Sequence, residues 1–343
     1  MNTDWQDFLT TNKANLVAGV LHDFGNAAAE REAAERGDIL CDLSHFGLLQ
    51  VTGEDAQGFL QNLLSNDIRD VDNGRSQLSS FNNAKGRMLA SMLIWKQDDA
   101  YILQMPRGLC EAMRKKLSMY VLRSKVKITD ISDEQVCIGL SGDKALSALQ
   151  ALYADMPGDS MSVTQTNDAA LIRRDARRMQ IVAPAARAGE IWNSLAATAT
   201  PAGSPCWDWL DIRAGIPFIL PQTQEAFVPQ MVNFELIGGI NFKKGCYPGQ
   251  EVVARMHYLG KAKRRMYLAR VMTDSAPLPG DKVFSAADPA QHCGEVVNAA
   301  QAAHGGFEML VVAQTEAADA FPVHLGALTG PRLEFEPLPY ALP

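Results

Sequence analysis

The sequence predicts an α+β protein whose sheets are antiparallel, followed by an all-β region. Three observations carry this. Candidate strands come in hairpins mixed with helices, not in strict strand–helix alternation, which argues against a doubly wound parallel sheet. Neither a GxGxxG after a strand nor a P-loop occurs. From about residue 260 helical periodicity disappears, and short apolar runs are split by Gly, Pro and Asp.

The elements follow in order. Residues 26–37, "NAAAEREAAERG", read as a short polar helix or connector. "DILCDLSHFGLLQVTG" (38–53) alternates and closes on Thr-Gly, as paired strands ending in a turn do. In 54–68, Phe59, Leu60, Leu63 and Leu64 fall at helical spacing behind an acidic start that suits the helix dipole. Residues 78–105 read as a hairpin, with "NNAKG" as one turn and "QDD" as another. "GLCEAMRKKLSMYVL" (108–122) predicts an amphipathic helix. "VKITDIS" and "VCIGLSG" are strands, with a helix over 143–154, two short strands in 169–184 and a helix over 188–199. The last 80 or so residues read as a small antiparallel barrel, so the division expected is 1–258 and 259–343.

Composition narrows the function. A hydrophobic fraction of 47% and a charged fraction of 21% suit a globular protein with a sizeable core. A net charge of −7 argues against sequence-blind nucleic-acid binding over the whole surface. No run of about 18 apolar residues occurs, so no membrane partner is expected. The opening "MNTDWQDFLTTNKANL" has no basic segment followed by an apolar one, and the cytoplasm is the expected location. Cys41, Cys110, Cys137, Cys206, Cys246 and Cys293 are scattered, without a CxxC pair or zinc-finger spacing. Neither a disulfide framework nor a stably bound metal is expected. Nothing demands an oligomer, and a monomer is expected.

The most informative stretch is "KKGCYPGQEVVAR" (243–255). Buried structural cysteines sit among apolar neighbours, whereas Cys246 lies between Gly245 and Gly249 in a polar setting. Lys243, Lys244 and Arg255 would favour its thiolate, the nucleophilic and metal-binding form. The two glycines permit unusual backbone angles and close approach of a partner, and Pro248 stiffens the turn. Tyr247 adjoins the thiol, while Gln250 and Glu251 would position a substrate or anchor the loop. Two readings stand: a reactive thiol, or a tight turn that a cysteine merely fits. Glu251 between Lys244 and Arg255 also permits a local ion pair.

"CDLSHFGLLQVTGEDAQGFLQNLLSNDI" (41–68) and "WLDIRAGIPFI" (209–219) resemble segments of the glycine-cleavage T protein, a folate-dependent aminomethyltransferase. "NFKKGCYPGQEVVAR" (241–255) resembles the signature of that superfamily's YgfZ branch, folate-binding proteins linked to iron–sulfur cluster maturation and tRNA modification. The resemblance spans nearly the whole chain. It implies ferredoxin-like and related α+β subdomains around a central folate pocket, plus the C-terminal antiparallel β-barrel. It implies a role in assembling or repairing iron–sulfur enzymes, with Cys246 as the working thiol. The implied cofactor is tetrahydrofolate or a derivative. The implied partners are iron–sulfur client enzymes or cluster-assembly proteins, without direct nucleic-acid binding.

Asn82, Asn83 and Lys85 lie in the hairpin turn that faces the pocket in the superfamily; turn formation alone would also explain them. Trp207 and Tyr258 would stack on folate rings or belong to ordinary core. Gln230 and Asn233 are polar residues in an apolar run and would reach the pocket. "GKAKRRM" (260–266) would grip a polyglutamate tail or serve as a solvated linker. His45 reads as a hydrogen-bonded structural histidine.

Two departures stand out. Ala90 and Ser91 occupy the place of the superfamily's pocket acid, and alanine can neither take a proton nor stabilise an iminium. Arg213 replaces the glutamate that accepts the pterin N–H groups, and arginine only donates. Both weigh against the alternative function, one-carbon transfer of the T-protein type. A third possibility is a decayed folate pocket with Cys246 as a redox sensor.

Overall fold

The computed structural model describes residues 1–260 and 262–343. The chain divides into two units. One comprises Met1–Phe59, Ile68–Gln77 and Leu93–Trp207; the other comprises Leu60–Asp67, Leu78–Met92 and Asp208–Pro343.

The first unit holds a six-stranded sheet in the order Val163–Gln165, Ala170–Arg173, Arg178–Pro184, Gln135–Ser141, Ile39–Asp42, Thr200–Ala202. Its pairs are antiparallel except the last, which is parallel. Val136, Ile138 and Leu140, with Met179, Ile181 and Ala183, alternate along their strands and so share one face. Against that face lie Trp5 and Leu9 of Thr3–Thr11, Ala145 and Leu149 of Asp143–Leu152, and Ala188, Ile191, Trp192 and Leu195 of Ala185–Ala196. Their three- and four-residue spacing gives each helix one apolar stripe. Trp5 donates its indole N–H to the buried carboxylate of Asp42 at 2.8 Å. Burial pushes the Asp42 carboxyl up, and the hydrogen bonds from Ser44 and Trp5 oppose that shift.

In the second sheet, Phe46–Thr52 lies between Ala100–Pro106 and Lys127–Asp130. Leu93 to Gln97 pair antiparallel with Gln104 to Ala100 within the same unit. The helix expected over 108–122 is Arg107–Ser118. Its stripe of Leu109, Cys110, Met113 and Leu117 ends there, and Ser118 turns its hydroxyl back to the Arg114 carbonyl at 2.7 Å. Beyond it Met119, Tyr120 and Leu122 stay exposed, and the chain leaves the helix.

The second unit ends in a six-stranded antiparallel sheet. Its order is Val323–Leu325, Lys282–Ser285, His292–Gln301, Phe307–Gln314, Arg264–Val271, Leu333–Glu336. A bridge between His324 and Arg332 ties its two edges, curling the sheet toward a barrel. Alternating Ala269 and Val271, and Met309 and Val311, fill its inside. The structure adds a short helix, Thr315–Ala320, that strand patterning did not predict. Of the basic run 260–266, Lys261 lies outside the described residues, and Arg264 to Met266 open the first strand. Among the described residues, no helix is long and apolar enough to cross a membrane.

Candidate functional site

The signature "KKGCYPGQEVVAR" is not a single loop. It is a short irregular segment that ends at Gly249 and then becomes the helix Gln250–Leu259. Gln250, Glu251 and Arg255 therefore sit on a helix, which for Gln250 and Glu251 corrects the expected loop. Gly249 caps that helix with φ +78°, the left-handed region. A Cβ there would lie 2.5 Å from the Asn83 carbonyl oxygen and 2.5 Å from both N and Cα of Gly86. Gly86, itself at φ +71°, faces Val252 and the Gly249 carbonyl. The fold thus seats the signature on the Asn83–Gly86 turn through two backbones that only glycine lets touch.

That turn is held by Asn83. Its side-chain oxygen accepts N–H bonds from Lys85 at 2.9 Å and Arg87 at 3.0 Å. Asn83 is therefore a turn former, and Lys85 is exposed beside it.

Lys244 is only 5% exposed. Its ammonium donates to the carbonyl of Gln61 at 2.6 Å and to that of Leu64. It also lies 5.1 Å from the centre of the Tyr247 ring. Tyr247 is buried, and desolvation pushes its phenol up to about 12. Lys244 thus anchors the segment from beneath. Gln250 closes it from above, with its backbone N–H on the Tyr247 carbonyl at 3.1 Å.

On this frame Cys246 is exposed, while the other five cysteines are buried. Burial pushes Cys110 up to about 12 and raises Cys137 and Cys293 as well. A bulky thiol reagent is accordingly expected to label one cysteine of the native protein, at Cys246, and the remainder only after denaturation. Mass spectrometry of the labelled peptides checks this.

Gly245, next to the thiol, has no atom within 4 Å of where a Cβ would stand, and its φ is not positive. Folding makes no demand for glycine there. Glu251 and Arg255 are exposed, and neither forms an ion pair among the described residues.

Beneath the turn runs a polar network. Asn241 donates its backbone N–H to the Ser65 carbonyl at 3.1 Å. The Ser65 hydroxyl accepts the Ser80 N–H at 2.8 Å and donates to the Gly239 carbonyl at 2.7 Å. The Ser80 hydroxyl reaches the Asn82 side-chain oxygen at 3.0 Å. Asn82 is buried, and its amide nitrogen has no partner among the described residues. A buried donor left unmet costs roughly 1–3 kcal/mol.

The remaining predicted residues fall elsewhere. Gln230 donates to the Val253 carbonyl at 2.6 Å and so holds the signature helix. Asn233, at φ +56°, donates to the Met266 carbonyl at 2.8 Å. Tyr258 is 65% exposed and meets the His257 ring edge-on at 4.8 Å, while His257 stacks on Phe242 at 3.7 Å. Trp207 belongs to the first unit. A Cβ on Gly139 would lie 2.5 Å from its ring, the Arg178 guanidinium sits 5.4 Å from the ring centre, and the side chain is 1% exposed, so it is packed within its own unit. Arg213 bonds Glu336 at 2.6 Å and Glu308 at 3.4 Å, next to Trp209. Burial raises the Glu308 carboxyl, and Arg213 opposes that shift. Ala90 is buried. The Ser91 hydroxyl is spent on the Pro217 carbonyl at 3.3 Å and the Ile219 N–H at 3.0 Å. Among the described residues, no group of three or more His, Cys, Asp or Glu is placed to hold a metal ion.

Residues 20–233 match the model of the GCVT N-terminal domain. Over 308 residues the chain is 30% identical to the tRNA-modifying protein YgfZ of Escherichia coli O45:K1 (strain S88 / ExPEC), covering 88% of this chain and 93% of that protein. The chain belongs to the YgfZ family. The YgfZ of Escherichia coli O81 (strain ED1a) matches to the same extent, 30% over 308 residues. The glycine cleavage system aminomethyltransferase T from Bartonella henselae superposes with a TM-score of 0.78 at 17% identity, over 99% of this chain and 97% of that one. The fold is therefore aminomethyltransferase-like, as the sequence resemblance implied. Of the residues read in the sequence as departures, Ala90 has no titratable group, Ser91 is bonded to Pro217 and Ile219, and Arg213 is paired with Glu308 and Glu336.

Proposed function

We propose that this chain supports tRNA modification as a YgfZ-type protein, by presenting the Cys246 thiol to iron–sulfur enzymes or to the proteins that assemble their clusters. The supporting observation is the contrast around the thiol. Lys244, Tyr247 and Gly249 fix the frame, while Cys246 is exposed beside a glycine that packing does not require. A glycine with no structural duty keeps the space over the sulfur clear for a second macromolecule, and the thiolate is the form that bonds sulfur or iron.

Folate fits part of this arrangement. The unpaired amide of Asn82 suits an acceptor on a pterin, and Asn83 and Lys85 lie in the adjoining turn. Arg213 and Trp207 are committed to other contacts. Aminomethyl transfer is the weaker reading, since neither Ala90 nor Ser91 supplies a base.

The test uses a cell lacking its own copy, with a modified tRNA nucleoside made by a radical iron–sulfur enzyme as readout. Wild type is expected to restore the nucleoside. Cys246→Ala and Gly245→Val are expected to lose most of it while unfolding at the wild-type temperature. Full restoration by Cys246→Ala would refute the thiol's role and direct attention to Asn82.

A further inference from the structure

The tip of the first unit, residues 119–122, is a surface that the proposed function does not use. Leu122 is 89% exposed and Met119 75%, the highest values among the large exposed apolar side chains described. Leu122 also has φ +44°, a left-handed conformation that L side chains disfavour. Backbone strain here presents an aliphatic side chain to solvent, and strain of this kind clusters at functional surfaces. The base of the tip is firm. The Lys125 N–H donates to Asp55 at 2.7 Å, and a Cβ on Gly53 would lie 1.9 Å from the Lys125 carbonyl oxygen.

The charge around the tip is one-signed. Between Ala112 and Thr129 stand Arg114, Lys115, Lys116, Arg123, Lys125 and Lys127, with no Asp or Glu. The neighbouring acids are Glu111, Glu54, Asp55 and Asp130. Glu111 takes Arg114 at 2.9 Å and Lys115 at 3.0 Å, and Glu54 takes Lys125 at 2.7 Å. Asp55 is occupied by the Lys125 backbone, and Asp130 by Ser132. Lys116, Arg123 and Lys127 form no ion pair among the described residues.

An aliphatic tip with a tyrosine beside it and uncommitted cations around it matches the chemistry of an anionic lipid interface. The apolar chains enter the acyl boundary, tyrosine sits at headgroup depth, and the cations meet lipid phosphates. RNA would use the cations but leave Leu122 and Met119 in water. A protein partner would have to bring a pocket shaped to the tip, whereas a bilayer yields to any convex shape. We propose that residues 116–127 dock the chain, reversibly and without spanning, on anionic lipid surfaces. The lack of a spanning helix bears on crossing a membrane and leaves such docking open.

The test sediments the full chain with vesicles of phosphatidylcholine alone and of phosphatidylcholine with phosphatidylglycerol, at low and high salt. Binding is expected to the anionic vesicles only, and to weaken at high salt because screening shortens the reach of the cations. The double variant Met119→Asp/Leu122→Asp should lower vesicle affinity about tenfold or more, and so should Lys116→Glu/Arg123→Glu/Lys127→Glu. These side chains lie at or near the surface, so an unchanged unfolding temperature certifies the fold of each variant. No binding to anionic vesicles overturns the proposal. Equal binding to neutral vesicles, or undiminished binding of the tip variant, overturns it too. Tip-dependent retardation of tRNA without vesicle binding would overturn it in favour of a nucleic-acid surface.

Discussion

Gly249→Ala is expected to destabilise the second unit by roughly 2–5 kcal/mol, the sum of two effects. A left-handed alanine costs roughly 1–2 kcal/mol. Overpacking adds about 1–3 kcal/mol more, and here the clash is with backbone, since the new methyl would lie 2.5 Å from three atoms of Asn83 and Gly86. A flexible side chain could rotate away, but a turn pinned by the Asn83 side chain cannot move without losing its own hydrogen bonds to Lys85 and Arg87. Urea denaturation measures the loss. Gly245→Ala is the control: with open space at its Cβ position and ordinary φ, it should leave the midpoint nearly unchanged. If the two alanine variants prove equally stable, the Gly249–Gly86 contact does not hold the signature in place.

This pair of glycines also marks the limit of what the sequence discloses. The signature itself is legible, because a cysteine among Gly, Pro, Lys and Gln stands out from any apolar core. What Gly249 touches is not, since Gly86 is far away along the chain and no local pattern joins them. The C-terminal sheet is legible because helical periodicity is lost there and short apolar runs are split by Gly, Pro and Asp. The helix Gln250–Leu259 was missed because Gly249 and Pro248 precede it and Val252 and Val253 are β-branched. Its cue was Val253 and Met256 at helical spacing behind the acidic Glu251. The helix Thr3–Thr11 carries two local cues, Asn2, which caps it through the Trp5 N–H at 3.0 Å, and Trp5 and Leu9 four apart. Arg213 was placed by resemblance in a pterin pocket. Its partners, Glu308 and Glu336, lie on strands that sequence spacing could not bring to it.

Lys244 gives the second large effect, and it separates two roles that the sequence left merged. Read locally, it is one of three cations that would favour the Cys246 thiolate. In the fold its ammonium is buried and donates to the carbonyls of Gln61 and Leu64. Lys244→Met keeps much of the side-chain length and apolar stem but removes the donors. Losing a buried donor contact costs about 1–3 kcal/mol, so for the two contacts a loss of roughly 2–6 kcal/mol is expected. Lys243→Met, altering an exposed neighbour, should stay within about 0.5 kcal/mol of wild type. The decisive readout is the pairing of stability with thiol chemistry. If Lys244 is an anchor, Lys244→Met lowers the unfolding midpoint, and the rate of Cys246 alkylation at neutral pH in the still-folded protein changes little. If its main work is to favour the thiolate, alkylation slows several-fold while the midpoint holds. The two carbonyl contacts and the burial of Lys244 favour the first outcome, which would make the lysine the foundation on which the exposed thiol stands.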